Sequence, residues 1–166
     1  MSRNQKKPRE HAKVERHVFA GLAWRTGPLS LLIYAEDFLA ASKSSTPADP
    51  RFQPARLFLA CRAIELALKA FLSLREISLM NIMDRKHYLK RLLIEAEKLG
   101  LEQHIKLQQI ERDLISQAAI YYEEKVFEYP SLTEALVGYP EMPRLDGLFD
   151  IARRLVDALK EPCLAA

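Results

Sequence analysis

The chain has 166 residues, 49% of them hydrophobic and 28% charged, a length and balance that fit one globular domain with a sizeable core. Five glycines and 8% aromatic residues argue against a many-turned β architecture, and two cysteines are too few for a disulfide framework. The net charge of +3 is uneven: residues 1–17 carry six basic and two acidic side chains, a balance of +4, while the remainder has 19 basic and 20 acidic, a balance of −1.

The basic excess therefore belongs to the leading segment. Residues 1–17, with Arg3, Lys6, Lys7, Arg9, Lys13 and Arg16, read as a flexible arm. Such an arm either touches RNA, DNA or an acidic partner, or is a solvated leader without a dedicated ligand. Met1 to Arg16 lacks the apolar core of a secretory signal. With Cys61 inside an apolar run and Cys163 near the end, a reducing compartment is the simpler reading, and the expected location is cytoplasmic.

The remaining residues, 18–162, read as one helical domain. Gly27-Pro28 introduces a first helix from about Leu29 to Ala41. Ser42 to Pro54 is a loop containing Pro47 and Pro50. Pro54 is pre-set for a first helical turn, and the second helix runs on to about Arg75. A third helix spans about Arg85 to Leu99 and stops at Gly100, with Leu89, Leu92, Leu93, Ala96 and Leu99 at helical spacing. The fourth covers about Glu102 to Glu123, with a core stripe of Ile110, Leu114, Ala118 and Tyr121. Residues 125–143 form a long connection broken by Pro130, Pro140 and Pro143. The last helix runs from about Leu145 to Lys160, and Pro162 ends it. The fold class is thus all-α, an antiparallel up-and-down bundle of about five helices.

The second helix is apolar on nearly every face, which places it in the middle of the bundle. Arg56, Arg62, Glu65 and Lys69 exclude a membrane span, because a charge near the bilayer centre costs about 2.5–3.5 kcal/mol. One narrow polar stripe remains, Arg62, Glu65, Lys69 and Ser73, stacked on one face. Glu65 and Lys69 stand in the favourable i, i+4 order. The stripe is either a helix-local salt bridge on a solvent strip or a polar groove for a ligand or a facing subunit.

Three segments carry a family resemblance. Ala60-Cys61-Arg62-Ala63-Ile64-Glu65-Leu66-Ala67-Leu68-Lys69-Ala70-Phe71-Leu72 resembles the central helix of HEPN domains, which ends in Glu-Leu-x-x-Lys-x-x-Leu. His87-Tyr88-Leu89-Lys90-Arg91-Leu92-Leu93 resembles their His-x-Leu-x-x-Leu-Leu segment. Tyr122-Glu123-Glu124-Lys125-Val126-Phe127-Glu128-Tyr129-Pro130 resembles the Tyr-x-x-(Lys/Arg)-x-x-x-Tyr-Pro segment of some members. In order and spacing these cover roughly residues 54–160.

The resemblance implies a helical bundle, a homodimer, and RNA- or nucleotide-linked work. Many members are metal-independent ribonucleases in toxin–antitoxin, defence or RNA-processing systems, and others are non-catalytic partners of a small nucleotidyltransferase. The ribonucleases carry an Arg followed after four to six residues by His, where Arg steadies phosphate charge and His moves a proton. None of His11, His17, His87 and His104 has an Arg at that distance before it, so the chain departs from the motif. The expected function is accordingly a non-catalytic interaction or RNA-associated module, with a diverged ribonuclease as the alternative. A degenerate site would use Lys125 for phosphate and Tyr129 as proton donor; Tyr129-Pro130 otherwise anchors a packed loop. His87 either caps and buttresses the fold or contacts a ligand. The candidate surface is Arg62, Glu65, Lys69, His87, Lys125 and Tyr129. No catalytic set, metal site or cofactor is expected: Cys-x-x-Cys, His-Glu-x-x-His, Glu-x-x-His, a phosphate loop and a Gly-x-Ser-x-Gly elbow are all missing. Expected partners are a second copy, a nucleotidyltransferase or antitoxin-like protein, and RNA, without a membrane.

Overall fold

The computed structural model describes residues 27–48, 52–84, 87–129, 132, 136, 138–139 and 142–166. The basic arm at residues 1–17 lies outside them. The described chain is all-helical: α1 (Pro28–Ser44), α2 (Pro54–Leu74), the short α3 (Leu79–Asp84), α4 (Leu89–Lys98), α5 (Gln109–Glu123) and α6 (Leu145–Leu164), with a 3₁₀ turn at Leu101–Gln103. No helix among the described residues is long and apolar enough to cross a membrane.

α2 is the axis of the bundle. It packs against each of the other helices, and most extensively against α1 and α6. Thirteen of its 21 residues are buried, which is why its apolar character runs nearly all the way round. Ala60, Ala63, Ala67 and Ala70 are completely buried, and their small side chains let neighbouring helices approach closely. Ser42 ties the end of α1 to the start of α2. Its hydroxyl donates to the Arg56 carbonyl at 2.7 Å, and Arg56 Nε donates back to the Ser42 carbonyl at 2.9 Å.

Several helix limits differ from those expected of the sequence. α4 begins at Leu89 rather than Arg85, and α3 precedes it unannounced; residues 85 and 86 lie outside the described residues. α5 begins at Gln109 rather than Glu102, because Gln108 and Glu111 form a reciprocal capping box there. The segment before it is instead a 3₁₀ turn and an extended stretch burying Leu101, Ile105 and Leu107. That shift also corrects the core stripe of α5. Ile110 falls in the first turn, beyond the core, and is 72% exposed, while Ile115, Ala118, Ala119, Tyr121 and Tyr122 are buried. Ile110 lies instead on a groove of about 550 Å³ between α5 and α6, with Leu114, Gly147 and Ile151. Pro162 does not end α6. It sits in the last turn, which continues to Leu164, with Ala165 N–H reaching the Glu161 carbonyl at 3.1 Å and Cys163 buried against the core.

Three helix ends share one backbone device. After α2, Glu76 takes φ 60°, and Ile77 N–H bonds to the Leu72 carbonyl at 3.2 Å. After α5, Lys125 takes φ 61°, and Val126 N–H bonds to the Tyr121 carbonyl at 2.9 Å. Both are left-handed terminations with a residue-six to residue-one bond. After α4 the left-handed position is Gly100, at φ 90°. A side chain there costs about 1–2 kcal/mol that glycine avoids. Glu76→Gly and Lys125→Gly are therefore expected to raise stability by about 1 kcal/mol each, and Gly100→Ala to lower it by a similar amount. Urea unfolding midpoints check this; a loss of stability in both glycine variants contradicts the assignment.

Candidate functional site: a buried carboxylate with four donors

Glu65 is the centre of the polar stripe on α2, and it is completely buried. Three and four residues away along the helix, Arg62 and Lys69 both reach its Oε1. Arg62 Nη1 donates at 2.8 Å and Lys69 Nζ at 2.7 Å. Lys69 is itself only 5% exposed. The solvent-strip reading of this stripe is therefore wrong. The surrounding apolar residues carry both charges inward, and each is tolerated there because the other is present.

Two other elements reach Oε2. Tyr122, near the end of α5, donates its hydroxyl at 2.5 Å. His87, just before α4, places Nδ1 at 3.0 Å. Glu123, next to Tyr122 at the end of α5, keeps one carboxylate oxygen buried without a hydrogen-bond partner, and burial pushes its carboxyl up. The His87 ring then stands edge-on to Tyr122 with centroids 6.0 Å apart.

The charges settle in a consistent way. Burial pushes the Glu65 carboxyl up, but the Arg62 guanidinium, the Lys69 ammonium and the Tyr122 hydroxyl outweigh it and hold the group below the usual carboxylate range. Burial and the facing Glu65 charge drive the Tyr122 phenol strongly upward, so it serves as a donor and not as a base. Burial works against the Arg62 charge, yet Glu65 holds its pKa above the ordinary value. A carboxylate this saturated is no proton shuttle. Cys61, beside it on α2, is inert for the same reason: burial, reinforced by Glu65, drives its thiol far upward. Cys163 is pushed up to about 11 by burial.

Only the outer edge of the cluster meets solvent. The Arg62 side chain is 26% exposed and that of His87 52%. Arg62 Nη1 also lies 3.1 Å from His87 Nδ1, and the guanidinium sits over the Phe38 ring at 5.9 Å. His87 Nδ1 serves one of its two neighbours at a time. As N–H it donates to Glu65; as a lone pair it accepts from Arg62.

The structure thus gathers Arg62, Glu65, Lys69 and His87, and adds Tyr122, which sequence reasoning does not single out as a contact. Its signal is there, in the Tyr122-to-Pro130 segment, but helical spacing favours the neighbouring Tyr121. Lys125 and Tyr129 are not drawn in. Lys125 is an exposed left-handed cap, and Tyr129 is 66% exposed rather than a buried loop anchor. Among the described residues no group of three or more His, Cys, Asp or Glu side chains is placed to hold a metal ion. No family model, curated protein or solved structure matches the chain.

Removing the carboxylate strands two buried or half-buried cations. Glu65→Ala is expected to cost about 3–5 kcal/mol of stability. The Glu65 pKa is lower in the folded chain than its unfolded value of about 4.3, so its contribution is complete above that pH and is lost as pH falls through the folded value. Urea midpoints measured from pH 7 down to pH 3 should therefore fall more steeply in the parent than in Glu65→Gln. Parallel acid limbs refute the assigned direction.

Proposed function

We propose that the chain is a HEPN-like, non-catalytic interaction module that associates with RNA. In this reading it works in the cytoplasm as a homodimer, beside a nucleotidyltransferase or an antitoxin-like protein, as part of a toxin–antitoxin or defence system. The observation that carries the non-catalytic part is the saturation of Glu65. Arg62, Lys69, His87 and Tyr122 all converge on one buried carboxylate, so their first task is to join α2, α5 and the start of α4. The resemblance of residues 60–72, 87–93 and 122–130 to HEPN segments supports the family part, since the elements that carry it supply all five members of the cluster.

A second reading, a metal-independent ribonuclease with a diverged site, draws on one observation. Arg62 and His87, far apart in sequence, stand 3.1 Å apart at the surface. Lys125 and Tyr129 do not support it, because neither joins that pair.

A cleavage assay on varied RNAs with chelator present separates the two. The module reading expects no cleavage, and expects RNA or a nuclease-resistant protein to co-purify with the tagged chain from its native cells. Cleavage that survives chelator and disappears in His87→Ala establishes the ribonuclease reading instead. Absence of both companions contradicts the module.

A further inference from the structure

α1 is apolar on more faces than its neighbours cover. Between Leu29 and Ala41 only Ser30, Glu36 and Asp37 interrupt an apolar run. α1 packs chiefly against α2 and α6, and it buries Leu32, Ala35, Leu39 and Ser42. On its outer side Ile33 and Tyr34 stand exposed, with Ala40 and Ala41 further along and Glu36 and Asp37 between them. Glu36 reaches Lys160 only at 3.7 Å, and Asp37 is exposed beside it. A helix that is apolar nearly all round is ordinarily covered all round, as α2 is.

The chain itself carries a matching cover. The described residues begin at Gly27, at the N-terminal end of α1. Immediately before it, residues 18–24 hold no polar side chain and include Phe19 and Trp24. Val14, Val18 and Leu22, with Phe19 beside Val18, keep helical spacing. Arg25, Thr26 and Gly27 link this segment to Pro28, and a link of that length turns one helix back antiparallel on the next. Both arms then advance at about 1.5 Å per residue. Phe19 and Val18 come level with Ile33 and Tyr34, and Arg16 comes level with Glu36 and Asp37. Apolar residues therefore meet apolar ones, and the basic end of the segment meets the two acids.

We infer that residues 13–24 dock on the outer face of α1 of the same chain. Phe19 and Val18 cover Ile33 and Tyr34, and Arg16 faces Glu36 and Asp37. Trp24 covers the first turn beside Leu29 and Leu31, which are only partly buried in the bundle. The basic arm is thereby fastened to the bundle by its apolar end.

Trp24 is the single tryptophan of the chain, so its quenching by acrylamide reads docking directly. In the full chain quenching is expected to be well below that of the urea-unfolded chain, and independent of protein concentration. Replacing Ile33 and Tyr34 together by Lys removes two apolar partners and adds charges that repel the basic segment. This double variant is expected to shift the docking equilibrium at least about tenfold toward release, seen as a rise in Trp24 quenching. Far-UV circular dichroism and thermal melts confirm folding; should the double variant unfold, Tyr34→Lys at the more exposed position carries the test. Quenching in the parent as strong as in the unfolded chain overturns the docking. Protection that survives both substitutions overturns the choice of surface. Protection that appears only as concentration rises, together with a doubled mass in solution, means that the face is taken by a second copy, and overturns docking within one chain.

Discussion

Glu65 sits where a carboxylate is least welcome, on the most buried helix of the bundle. An ion taken out of water costs several kcal/mol unless its lone pairs and charge are met. Here both oxygens are met, Oε1 by Arg62 and Lys69, Oε2 by Tyr122 and His87. The requirement reaches beyond α2. Tyr122 must come from α5 and His87 from the start of α4, so satisfying one side chain fixes how three parts of the chain meet. Apolar packing alone tolerates small slips between helices; a carboxylate with directional donors does not.

The same constraint divides the cluster into an inside and an outside. Lys69 and Tyr122 are buried with Glu65, while Arg62 and His87 face outward. The inner pair serves stability. The outer pair shares one contact, Nη1 to Nδ1, whose character depends on where the imidazole proton sits.

Much of this is legible in the sequence, and the illegible parts have physical reasons. The all-round apolar character of residues 55–74 places α2 at the centre, and the spacing of Arg62, Glu65 and Lys69 puts them on one face. Periodicity also finds α1, α4 and α6 within a few residues. It does not find the start of α5, because Ile105 and Leu107 look like helix positions and are buried in an extended segment instead. Pro162 misleads in the opposite sense. Proline opposes helix by removing a donor, but burial of the next residue, Cys163, holds the last turn in place. Lys125 and Tyr129 stand out by charge and chemistry alone. Nothing in residue type reveals that Lys125 occupies a left-handed cap and that Tyr129 points to solvent. Tyr122 is hidden by its neighbour, since both tyrosines are buried and Tyr122 is the one that reaches across to Glu65 on α2. Local pattern reads which face turns inward; it does not read which buried polar atom on another element a side chain will meet.

The central claim is that Glu65 and the elements around it are coupled through directed hydrogen bonds and not merely adjacent. A double-mutant cycle on Glu65→Gln and Tyr122→Phe, read from urea unfolding, tests it most directly. The account predicts a coupling free energy of about 1.5–3 kcal/mol, the range for a hydrogen bond to a charged group. Effects that add to within about 0.3 kcal/mol would contradict it.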